Sequence, residues 1–158
     1  MKPKKKSPEA SQPDLKPIQC VCTNLKMASR VVGRAYDLAL EESGVNVIQY
    51  SILINVSRYQ PISQMRLAEH LEMERTTLYR ALDILEKKGL VASESNGEGV
   101  AKVVRLTARG TDVTSAAARK WNLMHEGFLS KFGPRRLKEL NALLGEVRDH
   151  FKHVNPST

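Results

Sequence analysis

The 158-residue sequence predicts a mainly α-helical fold carrying one small β-hairpin. Apolar residues recur at helical spacing along most of the chain, and capping residues and glycines break them into segments. Between residues 90 and 107, by contrast, short and β-branched residues flank a turn. A composition 41% hydrophobic but only 5% aromatic suits a soluble, helical protein with a real core.

Residues 1–17 combine prolines and five lysines with almost nothing apolar, the composition of a disordered basic tail. A first helix is predicted from Ile18 to Glu42 through Leu25, Ala28, Val32, Ala35, Tyr36 and Ala39, with Gly44 placed for a left-handed ending. The second opens at an Asn46 cap and is apolar nearly all round through Ile48, Ile52, Leu53 and Val56, so burial is expected. Pro61 and a Ser63 cap introduce a short helix carrying Leu67, Ala68 and Leu71. About three residues later a further helix runs from Glu74 to Lys88 and stops at Gly89.

"LVASES" and "AKVVRLT" then flank "NGEG", the turn chemistry of a hairpin. Residues 108–130 return to helical spacing with Val113, Ala117, Trp121, Met124 and Phe128, and Pro134 suits the first turn of a last helix. There Leu137, Leu140, Leu144, Val147 and Phe151 form one stripe, which must be buried somewhere; a second copy of the chain is the favoured cover. The chain thus divides into the tail, two helices over 18–60, a central unit over 61–106, two helices over 107–152 and a flexible end over 153–158.

No apolar run approaches the ~18 residues that span a bilayer, and no apolar stretch follows the N-terminal lysines as a signal peptide would require. With Cys20 and Cys22 as the only cysteines, a reducing, cytoplasmic setting is expected and no membrane partner. The net charge of +8 suggests a polyanionic partner. Its excess lies toward the two ends, whereas residues 61–105 are balanced, so in the central unit the placement of cations must matter more than their number.

Two helices joined by a short turn and followed by a hairpin is the order of a winged helix-turn-helix, whose second helix enters the DNA major groove. Leu78, Ala81, Leu82 and Leu85 face the core there, while Thr76, Arg80, Asp83 and Lys87 line the opposite side. Arg75, Thr76, Thr77, Tyr79 and Arg80 crowd its first turns, where guanidiniums can grip guanine edges and hydroxyls can meet phosphates or bases. The helix start adds free N–H groups for a phosphate.

Three stretches resemble the MarR family of winged-helix transcriptional regulators. "NLKMASRVVGRAYDLALEESGVNVIQYSIL" looks like its first two helices, "ISQMRLAEHLEMERTTLYRALDILEKKGLV" like its helix-turn-helix, and "VVRLTARG" is similar to the junction after the wing. The resemblance spans about Ile18 to Phe151. It implies a mainly α-helical winged helix-turn-helix with a helical dimerisation region, working as a homodimeric repressor on a pseudo-palindromic double-stranded operator. At matching positions Thr76, Thr77 and Arg80 would touch bases and phosphates, with Arg75 beside them, Lys87 further along the same face, and Ser63 and Gln64 at a backbone-contacting helix start. The family's effectors are often small aromatic or phenolic molecules bound between the dimer core and the DNA-binding lobe; Arg30, Arg34 and Tyr36 are the candidates here.

The wing departs from the pattern. Its usual Asp-Arg tip is replaced by Glu98, Gly99 and Val100, leaving Lys102 and Arg105 as nearby cations against Glu94 and Glu98. Weaker dependence on the wing is therefore expected, with the N-terminal lysines contributing instead.

An alternative is a peroxide-sensing repressor, since Cys22 lies eight residues before Arg30, as in family sensors, and Tyr36 matches one tyrosine of their cysteine cage. Lys26 and Val47 occupy the other two cage positions, although Lys26, one turn from Cys22, could favour a thiolate. Placed on one helix, Cys20 and Cys22 would face different sides, which argues against a mutual disulfide or a metal site. The four histidines are read as solvated, and no cofactor is expected. No enzyme motif appears. A basic protein coating DNA non-specifically and a pure protein-interaction dimer complete the alternatives.

Overall fold

A computed structural model describes residues 20–95 and 102–154, and it is built from six α-helices and three short strands among those residues. Helix α1 (Val21–Leu40) passes through a 3-10 turn (Glu41–Ser43) to α2 (Val47–Tyr59). Strand β1 (Ile62–Ser63), α3 (Gln64–Leu71) and α4 (Arg75–Lys87) follow, then β2 (Val91–Glu94) and β3 (Val103–Leu106), and finally α5 (Ala108–Phe132) and α6 (Pro134–Val154).

The punctuation behaves as local chemistry dictates. Gly44, Gly89 and Gly133 take positive φ at helix ends, where a Cβ would be strained. Asn46 caps α2 through a reciprocal capping box: its side chain accepts from Gln49 N–H at 2.8 Å, and the Gln49 side chain accepts from Asn46 N–H at 3.3 Å. Ser63 caps α3 by accepting from Arg66 N–H at 3.2 Å. Glu74 and Lys88, placed inside the fourth helix from sequence, are its flanking caps.

The sheet is antiparallel with order β1-β3-β2. Val91 pairs with Leu106 and Glu94 with Val103, as a wing hairpin requires, and the hairpin's predicted NGEG turn lies outside the described residues. Strand β1 was not expected from sequence. Ile62 and Ser63 pair with Val104 and Val103, and Gln64 N–H reaches Lys102 O at 3.0 Å, so the start of α3 is bound to the wing.

The core gathers in one place. Leu40, Ile52, Leu53, Val56, Leu67, Leu78, Leu82, Leu85 and Val104 are all essentially inaccessible, each contributing on the order of 1.5–3 kcal/mol of apolar burial. Ile48 contradicts the expectation of a second helix buried all round: it is 55% exposed, because none of the described elements covers that side of α2.

At the junction to α5, Thr107 Oγ1 donates to Gly89 O at 2.7 Å and accepts from Gly110 N–H at 2.9 Å. A Cβ built on Gly110 would overlap the Leu90 carbonyl, so α5 and the strand entry touch backbone to backbone.

Candidate nucleic-acid interface

Helix α4 presents two unlike faces. Leu78, Leu82 and Leu85 are buried, while Arg75, Thr76, Thr77, Tyr79, Arg80, Asp83 and Lys87 are exposed. This is the division read from sequence, and the leucines fix the helix so that the polar face points outward as a rigid unit. The Glu74 side chain does not cap the helix and no acid occupies its first turn, so the opening N–H groups and the positive dipole end meet no internal carboxylate. Among the described residues, Arg75, Arg80 and Lys87 also have no ion-pair partner.

The neighbouring elements hold this face in place. Ser63 is engaged as a cap, and Gln64 donates from Nε2 to Ser93 Oγ at 3.3 Å, joining α3 to β2. Both therefore have structural duties besides any contact with a ligand. Lys102 is exposed at the foot of the wing. Arg105 lies 3.9 Å from Glu94 across the hairpin and is partly neutralised by it. Residues 1–19 and Glu98, Gly99 and Val100, on which the expectations about basic tail and wing tip rest, lie outside the described residues.

The turn between α3 and α4 contains an unusual residue. Glu72 adopts φ 50, a left-handed conformation that is uncommon without a glycine. Its carboxylate accepts from Lys152 Nζ at 2.7 Å and lies 3.8 Å from Arg148, both on α6. The Lys152 hydrogen bond, with smaller help from the charges of Lys152 and Arg148, holds the Glu72 carboxyl below its usual range.

The candidate effector residues do not converge. Arg34 lines an outward cleft of about 470 Å³ with Asp37, Leu38 and Val45, and Arg30 is exposed. Tyr36 points elsewhere, its hydroxyl 3.3 Å from His125 Nδ1 and its ring 5.9 Å from that of Trp121. Two residues apart on a helix are about 200° apart around it, which is why Arg34 and Tyr36 cannot share a site. Burial raises the Tyr36 phenol above its ordinary value. His125, read as solvated, is half-buried and stacks on Trp121 at 4.6 Å.

The sequence reading overlooked a cation that does sit in a cleft. Arg58 lines a space of about 510 Å³ with Val47, Tyr50, Ile54, Trp121 and Asn122, between α2 and α5. The legible signal was the i, i+4 series Tyr50, Ile54 and Arg58.

Cys20 is the cap preceding α1 and not a residue within it, which corrects the two-faces reading of the cysteine pair. Hydrogen bonds from the Thr23 backbone and side chain, then the Cys22 N–H, hold the Cys20 thiol below its usual range, with Lys26 adding the smallest share. Cys22 is exposed, and Tyr36 lies fourteen residues along the same helix, about 21 Å away at 1.5 Å per residue. Among the described residues of this chain no cage forms around Cys22. Among the described residues no three histidines, cysteines or acids cluster as a metal site.

Comparison with known proteins agrees with this geometry. Residues 45–98 match the family model described as "MarR family". An HTH-type transcriptional regulator of Bacillus cereus is 30% identical over 112 residues, covering 70% of this chain and 75% of that protein. The Mycobacterium tuberculosis regulator MosR, solved in complex with DNA, is 30% identical, with a TM-score of 0.75 over 85% of this chain and 99% of its own. Staphylococcus aureus MepR, also solved with DNA, shares the fold at 19% identity and a TM-score of 0.71, over 84% of this chain and 96% of its own.

Proposed function

The chain belongs to the MarR family of transcriptional regulators, and from that premise we propose that it is a cytoplasmic homodimer that represses from a pseudo-palindromic operator until a small molecule releases it. The observation that carries the DNA reading is the outward face of α4, where Arg75, Thr76, Thr77 and Arg80 stand opposite three buried leucines and beside the wing. Arg80 and Arg75 would read guanine edges, and the threonines and helix N–H groups would hold phosphates. MosR, a relative of 30% identity, is bound to DNA in its own structure.

Dimerisation is supported by apolar residues left in water. Val31 is 60% exposed and Leu38 73% on α1, and Leu143 and Phe151 are both more than half exposed on α6. Large apolar rows of this kind mark surfaces that pair. For the effector, the cleft of Tyr50, Ile54, Arg58 and Trp121 suits a planar acid: rings would cover its faces and Arg58 would meet its carboxylate. Lying between α2 and α5, an occupant there would shift one against the other.

The balanced charge of residues 61–105 disfavours a non-specific coat, which needs cations spread over its surface. The test is to incubate the protein with sheared DNA of its own genome at about 150 mM salt and sequence what it retains, because a specific site binds roughly 10³-fold or more above random DNA. Recovery of a few fragments sharing an inverted repeat, lost in Arg80→Ala, supports the proposal. Featureless recovery overturns it in favour of coating.

A further inference from the structure

Lys88 closes α4, and unlike the cations of the outward face it is half-buried with its ammonium turned back into the protein. Its Nζ donates to Gly44 O at 2.9 Å and to Gln49 Oε1 at 3.1 Å. Two of the three ammonium protons thus rest on the junction between α1 and α2, 44 and 39 residues back along the chain. Among the described residues, no side chain within α4 itself makes a hydrogen bond or an ion pair. The polar hold on the helix is therefore concentrated at its end.

The acceptors belong to a junction that is itself fixed. Gly44, at φ 70, donates its N–H to Glu41 O at 3.0 Å, and Val47 N–H reaches Asp37 Oδ1 at 2.8 Å. Gln49 Oε1 also accepts from Asn46 N–H in the capping box, so a single oxygen joins the start of α2 to the end of α4. The buried leucines Leu78, Leu82 and Leu85 set how deep α4 lies, but apolar burial is non-directional and opposes a small rotation weakly. A turn of about 10° carries a side-chain tip ~6 Å from the helix axis by about 1 Å. Hydrogen bonds span a range of only about 0.5 Å.

We propose that Lys88 is the positioning residue of α4: held by Gly44 and Gln49, it sets the rotation at which Arg75 and Arg80 face the operator, without itself touching DNA. The inference rests on the DNA-binding reading of α4 and adds a residue that acts through the base-reading side chains. A random duplex is held by phosphate contacts that tolerate small displacements and does not need the tether. An operator does, because base-edge hydrogen bonds are what distinguish it.

The experiment measures affinity for the selected operator and for a random duplex across a salt series, together with denaturation midpoints, using the full chain, Lys88→Met, Lys88→Arg, Gln49→Met and Arg80→Ala. Lys88→Met keeps the apolar stem and removes the donors. It is expected to weaken operator binding about tenfold, as one misread base pair does, and to leave the random duplex and the salt slope unchanged. Lys88→Arg, which keeps charged donors on a long stem, should restore most of the operator affinity. Gln49→Met lies on α2, outside α4, and removes one of the two acceptors; it should cause a loss of the same kind, about threefold. Because both residues belong to one tether, the double variant should be no weaker than Lys88→Met alone.

An equal loss on both duplexes, with the slope of log affinity against log salt lowered by about 0.9, would make Lys88 a phosphate contact and overturn the proposal. So would a lowered denaturation midpoint with an unchanged ratio of the two affinities, which marks a residue that serves the fold alone. If Lys88→Met does not fold, Gln49→Met decides, and an unchanged ratio there overturns the proposal. In each of these cases Arg80→Ala still loses operator preference and the DNA reading survives. If the wild type itself prefers no sequence and Arg80→Ala changes nothing, the DNA reading fails and takes this inference with it.

Discussion

Helices α4 and α6 are both amphipathic, yet α4 hides Leu78, Leu82 and Leu85 completely while none of the described side chains of α6 is buried. The difference lies in what surrounds them. Around α4 the chain supplies α2, α3 and the strands, so its leucines are enclosed in the one core of the chain. Around α6 it supplies little beyond part of α5, and the stripe Leu137, Leu140, Leu144, Val147 and Phe151 stays partly or fully open. Identical patterning can therefore serve two ends: a self-sufficient unit, and a surface whose apolar free energy is available to another molecule.

Substitutions should separate the two regions. Leu82→Ala in the head is expected to cost about 3 kcal/mol, the cost of a cavity in a closed core, and to do so at any protein concentration in chemical denaturation. Gly110→Ala should lose about 2 kcal/mol or more in the same assay, since the added methyl meets the Leu90 backbone and cannot swing aside. Asn46→Ala removes the capping box of α2 and should cost about 1 kcal/mol.

Leu143→Asp on α6 should change monomer stability by no more than about 0.5 kcal/mol, because Leu143 already faces water. Its effect should appear in sedimentation equilibrium, as loss of self-association. A fall in stability as large as that of Leu82→Ala would mean that α6 belongs to a closed core after all.

The smallest expected effect is at Glu72, whose ion pairs to Arg148 and Lys152 are solvent-exposed and worth only a few tenths of a kcal/mol. Because the folded carboxyl titrates below its usual value near 4.5, its contribution is present above that pH and disappears as the pH falls through the folded value. Denaturation midpoints of wild type and Glu72→Gln should accordingly differ at pH 7 and converge as the pH falls through the lowered folded value.

What the sequence made legible was local. Gly44, Asn46, Ser63, Gly89 and Pro134 each announce a boundary through their own backbone or capping chemistry; four stand as helix boundaries, while Gly44 ends the 3-10 turn that follows α1 at Leu40. The outward face of α4 was readable for the same reason, since helical spacing alone separates Arg80 from Leu78 and Leu82. Strand β1 was not readable: two residues have no periodicity, and Ile62 is a strand only because Val104, far along the chain, pairs with it. Ile48 was misjudged because its exposure depends on which elements pack against α2. Tyr36 and Arg34 were named together through the family's effector site, though the helix turns them apart, and Arg58 was missed because its cleft needs Trp121 of α5 to exist.

The backbone contact at Gly110 has a mechanical consequence. Helix α5 has 25 residues and is about 37 Å long at 1.5 Å per residue, and its first turn bears on the strand entry with no side chain between to absorb play. A tilt of about 5° in so long a rod displaces its far end by about 3 Å, more than half of one ~5.4 Å helical turn. The rod works in either direction, so a rotation imposed at the α6 end is expected at the strand entry, and a force on the strand entry at the opposite end.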